Sequence, residues 1–127
     1  MNEKLLLLKA SKSQSYRLAA QTRTSKKVKS LIERKDRAWY IARCAATLLK
    51  EEYGVKQVVL IGSLASGKGF HPRSDIDLVI WGLDEKKYYQ VVGRLLGLDS
   101  EFDVDLIEAE YASPNLSRVI EKDGVLL

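Results

Sequence analysis

The chain is poor in the residues that build disulfides, zinc sites and membrane spans. Its 127 residues include one cysteine, one histidine, one methionine and two prolines. Cys44 therefore has no partner for an internal disulfide, and with His71 alone it falls short of the ligand set of a structural zinc site. A lone thiol fits a reducing compartment, so the expected location is cytoplasmic. Long hydrophobic runs are missing too: Leu5–Leu8 is flanked by Lys4 and Lys9, whereas a spanning helix needs about 20 apolar residues. A signal-peptide core is also longer, at roughly 7–15 residues. Neither export nor membrane insertion is expected. The glycines are scattered, and no internal repeat, heptad array or biased stretch is present.

What is present is a core and an uneven charge. A hydrophobic content of 46% over this length supports a single globular domain. The net charge of +4 conceals an asymmetry, because residues 1–37 carry eleven Lys/Arg against three Asp/Glu and the rest carry ten against fourteen. The cations Arg23, Lys26, Lys27, Lys29, Arg34, Lys35 and Arg37 make a basic arm. Such an arm attracts RNA, DNA or an acidic protein surface, although a solvated helix face is the commoner origin of such a run, and nucleic acid is the lesser expectation.

From Glu3 to Tyr53 there is no proline or glycine, and from Val28 to Leu49 apolar residues recur at helical spacing. The spacing predicts an amphipathic helix that stops at Gly54. Ser11 to Ser30 is polar and only weakly periodic, and is read as a separate helix, an extension or a mobile stretch. Exposed apolar residues between Val28 and Leu49 imply that the sheet, a second copy of the chain or a partner packs there. Gln57–Ile61 reads as a buried strand, Asp75–Trp81 as a second and Phe102–Glu108 as a third. Asp84–Leu96 reads as a helix capped near Asp84 and closed by Gly97, and Ser113-Pro114 begins a final helix to about Lys122. The fold class is α+β, a small mixed sheet of at least three strands packed by helices. Residues 1–54 form a helical arm within the same unit, and residues 55–127 form the domain that carries the chemistry.

The strongest chemical signal is Asp75-Ile76-Asp77. Two carboxylates separated by one strand residue project from the same face and can share metal ions. Magnesium takes hard oxygen ligands, usually one or two carboxylates completed by phosphate and water. Alone, such a pair is common and reads as exposed strand acids. Asp103-Val104-Asp105 repeats the pattern on the third strand, and carboxylates gathered on one sheet repel unless a cation or a proton compensates. Either Asp103 or Asp105 completes the site. At the end of the first strand, Gly62 permits close backbone approach, and a helical turn there directs free N–H groups and the Ser63 hydroxyl at an anion. A Gly-Ser pair by itself is only a turn. The stretch Gly62–Gly69 nearly spells a Walker A loop, but Gly69 stands where a hydroxyl should bind magnesium, and Pro72 obstructs the long helix that must follow.

Gly62-Ser63, Ser74-Asp75-Ile76-Asp77-Leu78 and Val104-Asp105-Leu106, in that order, resemble the three motifs of the polymerase β-like nucleotidyltransferase superfamily, over roughly Gln57 to Leu127. Within it the chain is similar to the minimal nucleotidyltransferases, small domains that serve as antitoxins to HEPN-domain ribonuclease toxins. The resemblance implies a polymerase β palm-like fold and Asp75, Asp77 and Asp105 as catalytic metal ligands. It implies Gly62 and Ser63 as phosphate contacts, two magnesium ions, and ATP or another nucleoside triphosphate as donor. The implied acceptor is a hydroxyl, such as a tyrosine, on a HEPN-domain partner; a homo-oligomer is also compatible. One departure is Ser66, where many members carry an arginine before the second glycine of a loop one residue shorter; Lys68 or Arg73 is expected to supply the charge. Two alternatives stay open: a weak or inactive binding module that neutralises a partner by covering it, and nucleic-acid binding through the arm. Trp39, Trp81 and Cys44 read as core or partner-facing residues, and His71 as a turn residue or a nucleotide contact.

Overall fold

A computed structural model describes the backbone of residues 3–127 and the side chains of residues 23–127. The first element, α1, runs from Glu3 to Tyr53 as one helix, so the weakly periodic stretch is an extension. With no glycine or proline in the way, backbone hydrogen bonding propagates even where the apolar pattern is faint. Gly54 (φ +66°) ends α1 in the left-handed conformation that glycine adopts without steric cost. The Val55 N–H then donates to the Leu49 carbonyl at 3.1 Å, and Val55 is buried.

The chain divides into two compact units, Met1–Glu33 and Arg34–Leu127. In the first, residues 23–30 are all exposed, including Arg23, Lys26, Lys27 and Lys29, and Ile32 is exposed as well. The second holds a four-stranded sheet in the order β3-β2-β1-β4. Strand β1 (Gln57–Ile61) pairs antiparallel with β2 (Ile76–Trp81) and with β4 (Val125–Leu126), while β2 pairs parallel with β3 (Val104–Glu108). The fourth strand has no counterpart in the sequence reading. Helix α2 (Ser63–Ser66) is a single turn, α3 (Tyr88–Leu96) follows a 3-10 turn at Glu85–Lys87, and α4 is Asn115–Asp123. Asp84 accepts the Lys86 N–H at 3.1 Å and so caps the start of that segment, as the sequence predicts.

The two faces of the sheet differ. Val58, Leu60, Ile76, Leu78, Ile80, Val104 and Leu106 pack on one side with Leu64 of α2 and with Val91 and Leu95 of α3. Helix α1 joins this core through Ala38, Ile41, Ala42, Ala45, Ala46 and Leu49; the alanines let its backbone lie close to the strands. The sheet therefore covers much of the apolar face read between Val28 and Leu49, while Tyr40 stays exposed. On the other side Val59, Ile61 and Val79 pack with Leu116 and Ile120 of α4 and with Trp81 and Ile107. Among the described residues no helix is long and apolar enough to cross a membrane.

Candidate active site

The alternation that buries Ile76 and Leu78 on the α1 side sends Asp77 to the other, and the same rule in β3 separates Val104 and Leu106 from Asp105. Parallel pairing sets Asp77 directly opposite Asp105. Asp75 lies just before β2, and the Ile76 N–H donates to the Asp103 carbonyl at 3.0 Å, joining the acid-bearing ends of both strands. The Asp77 carboxyl is pushed up to about 6, first by burial, then by the charge of Asp105 and a side-chain hydrogen bond with it, and last by Asp75. Burial beside a like charge thus makes Asp77 a weaker acid than an ordinary aspartate, a cost that a bound cation would relieve. Among the described residues no three acidic, histidine or cysteine side chains form a ready-made cation cage. The carboxylates of Asp75, Asp77 and Asp105 are hard oxygen donors of the kind that magnesium takes, usually one or two at a time with water and phosphate completing the shell.

Asp75, Asp77, Asp103 and Asp105 line one wall of a cleft of about 600 Å³, and Tyr88, Val92 and Leu96 of α3 line another around the open edge of β3. The apolar stripe of this helix was legible, but its role as a cleft wall was not, because that depends on how α3 meets the edge strand. Gly62 lies against the acids from β1. Its φ is +86°, and a β-carbon there would stand 2.6 Å from Asp77 Oδ2, so glycine is required on two grounds. The one-turn α2 follows, with no side chain capping its first N–H groups. The Ser66 N–H donates to the Gly62 carbonyl and the Gly67 N–H to the Ser63 carbonyl, both at 3.0 Å. The turn therefore starts at Gly62, beside Asp77, and closes at Gly67.

The loop before Asp75 is internally braced. The Ser74 Oγ accepts the His71 N–H at 2.9 Å, and the His71 Nδ1 accepts the Arg73 N–H at 3.1 Å. His71 is exposed and contributes to the turn. Lys68 and Arg73, the cations expected beside the phosphate loop, are exposed and outside the cleft lining. The Lys68 N–H donates to Ser66 Oγ at 3.1 Å. A different cation is at the loop: a β-carbon on Gly67 would lie 3.5 Å from Lys35 Nζ. Lys35 stands in the basic arm of the sequence reading, where nothing local marks it. Two other arm residues face acids: Arg37 pairs with Asp99 at 2.7 Å, and Arg34 donates to the Glu101 carbonyl at 2.9 Å while lying over Phe102. The Glu101 N–H and Arg37 hold the Asp99 carboxyl below its usual range.

Comparison with known families matches residues 45–127 to the polymerase beta nucleotidyltransferase model. Several solved structures share the fold. A chain of a toxin–antitoxin complex with AMP-PNP superposes with a TM-score of 0.56 at 25% identity, over 67% of this chain and 70% of that one. A chain from the complex of tri-AMPylated Shewanella oneidensis HEPN toxin with its MNT antitoxin gives 0.53 at 20% identity, over 70% of each. A nucleotidyltransferase so described from Sulfolobus solfataricus gives 0.52 at 24% identity, over 76% of this chain and 85% of that one. Comparison with curated proteins finds no match.

Proposed function

Because the chain belongs to the polymerase β nucleotidyltransferase family, we propose that it transfers AMP from ATP to a hydroxyl of a HEPN-domain partner, acting as the antitoxin of a toxin–antitoxin pair. The observation that carries this reading is the register of β2 on β3, which sets Asp77 opposite Asp105 with Asp75 beside them, under the backbone of Gly62.

In this reading Asp75, Asp77 and Asp105 would hold magnesium, which would supply positive charge to offset that of the phosphates. The backbone N–H groups at Gly62-Ser63 and the Ser63 hydroxyl hold the phosphates. Asp105 takes the proton of the acceptor hydroxyl as its oxygen forms a bond to the α-phosphorus. The bond from that phosphorus to the bridging oxygen breaks, and pyrophosphate leaves. Tyr88, Val92 and Leu96 give one side of the cleft an apolar character.

The test is to incubate the protein with α-labelled ATP, magnesium and a HEPN-domain protein with which it forms a complex. Label on the partner that disappears with Asp105→Asn supports transfer. An intact complex with no label overturns transfer and leaves a module that neutralises its partner by covering it.

A further inference from the structure

We infer that Lys35, on α1, is a positioning residue for the terminal phosphates of a nucleoside triphosphate and supplies the positive charge that Ser66 does not. The inference rests on the nucleotidyltransferase reading, but Lys35 lies outside the residues 45–127 that carry the family match.

Three observations lead to it. The first is placement: the Lys35 ammonium sits against Gly67, where the missing side chain leaves it room at 3.5 Å from the β-carbon position. Gly67 ends the turn that begins after Gly62, the residue packed against Asp77. Four helical residues rise only about 6 Å, so a phosphate chain anchored beside Ser63 and running along the turn ends near this ammonium. The second is availability. Among the described residues Lys35 makes no hydrogen bond or ion pair, whereas its neighbours Arg34 and Arg37 are taken up by Glu101 and Asp99. The third is need. Four aspartates line the cleft, and the turn Gly62-Ser63-Leu64-Ala65-Ser66-Gly67 carries no cation of its own; the Ser66 hydroxyl accepts the Lys68 N–H. A polyphosphate there requires a cation at the end remote from the acids, and a lysine reaching across from a helix acts as a mobile point charge suited to phosphate.

A simpler role exists for the same contact. A lysine at the C-terminal end of a helical turn complements its free carbonyls. The two roles separate by the number of phosphates on the ligand. Binding of AMP-PNP and of AMP, each with magnesium, is measured by calorimetry for the wild-type protein, Lys35→Met and Lys35→Arg, with thermal unfolding of each. Lys35→Met keeps the aliphatic stem and removes the charge. The expected result is an approximately tenfold loss of AMP-PNP affinity in Lys35→Met, unchanged AMP affinity, and recovery in Lys35→Arg. Wild-type binding of AMP-PNP that Lys35→Met leaves within twofold overturns the inference alone, as does an equal loss for AMP and AMP-PNP. A wild-type protein that binds neither nucleotide overturns the transferase reading and this inference with it.

Discussion

Folding places the Asp77 carboxyl between Asp105 on the neighbouring strand and Gly62 on the other side, and it thereby becomes a weaker acid, titrating at about 6. An unfolded aspartate titrates near 4. Between those values the unfolded chain has released a proton that the folded chain retains, so stability falls as pH rises from about 4 to 6 and stays at the lower level above. Asp77→Asn removes this dependence. Urea unfolding without metal should show the variant gaining about 1–2 kcal/mol on the wild type between pH 4.5 and 7.5, with the partly open cleft reducing the full linkage value. Magnesium should raise the wild-type midpoint and leave that of the variant in place; a pH-independent difference between the two would contradict the raised Asp77 carboxyl. Gly62→Ala acts in the opposite sense. Its β-carbon would meet Asp77 Oδ2 at 2.6 Å on a backbone with φ +86°, costing about 1–3 kcal/mol, and AMP-PNP binding should be lost with it. At this scale the acids were legible, because strand alternation is a local rule. Asp103 and Asp105 could not be ranked by that rule, since both have the same parity; the motif resemblance prefers Asp105, the residue that the sheet sets opposite Asp77. Lys35 was invisible as part of a site, because its contact with Gly67 is tertiary.

Among the elements, α1 supplies six buried core residues and β4 none. Leu49 is fully buried beneath the sheet on the face that excludes the acids. Leu49→Ala should cost about 2–5 kcal/mol, read as a lower urea midpoint with an unchanged slope, while AMP-PNP affinity measured well below the transition stays within twofold. A change in affinity of the folded fraction would mean that this face of the core shapes the site. The three strands of the sequence reading appear within two residues of their expected limits, since each is a β-branched run bounded by glycine or polar residues. Strand β4 escaped notice because two residues carry no period; it exists through the Leu127 N–H donating to the Val58 carbonyl at 2.9 Å and a contact from Lys50 to the Leu127 carbonyl. The final helix begins one residue late, at Asn115, with Pro114 as its cap.

For the whole molecule, the compact unit Arg34–Leu127 contains the sheet, the acids, the turn from Gly62 to Gly67 and Lys35. We propose that it folds alone. A chain beginning at Arg34 should unfold cooperatively at the full-length urea midpoint and bind AMP-PNP equally well. A lower midpoint would show that residues 1–33 contribute to the fold. The same chain addresses the nucleic-acid alternative. Arg23, Lys26, Lys27 and Lys29 are exposed, whereas Arg34 and Arg37 are engaged within the domain, so RNA affinity at low salt, if the full-length protein has it, should be lost on removing residues 1–33.

The alternation that presents Asp77 and Asp105 to the cleft also guards the assembly of the sheet. A slip of one residue between β2 and β3 would turn a slipped strand over, driving Asp105 or Asp77 into the apolar layer beneath α1 and α3 and bringing Leu106 or Leu78 out to water. Burying an unpaired carboxylate is among the costliest errors a small core can make. The acids that equip the site thus also act as a checksum on the fold, and a chain that has lost them gives up some of its protection against mispairing together with its chemistry.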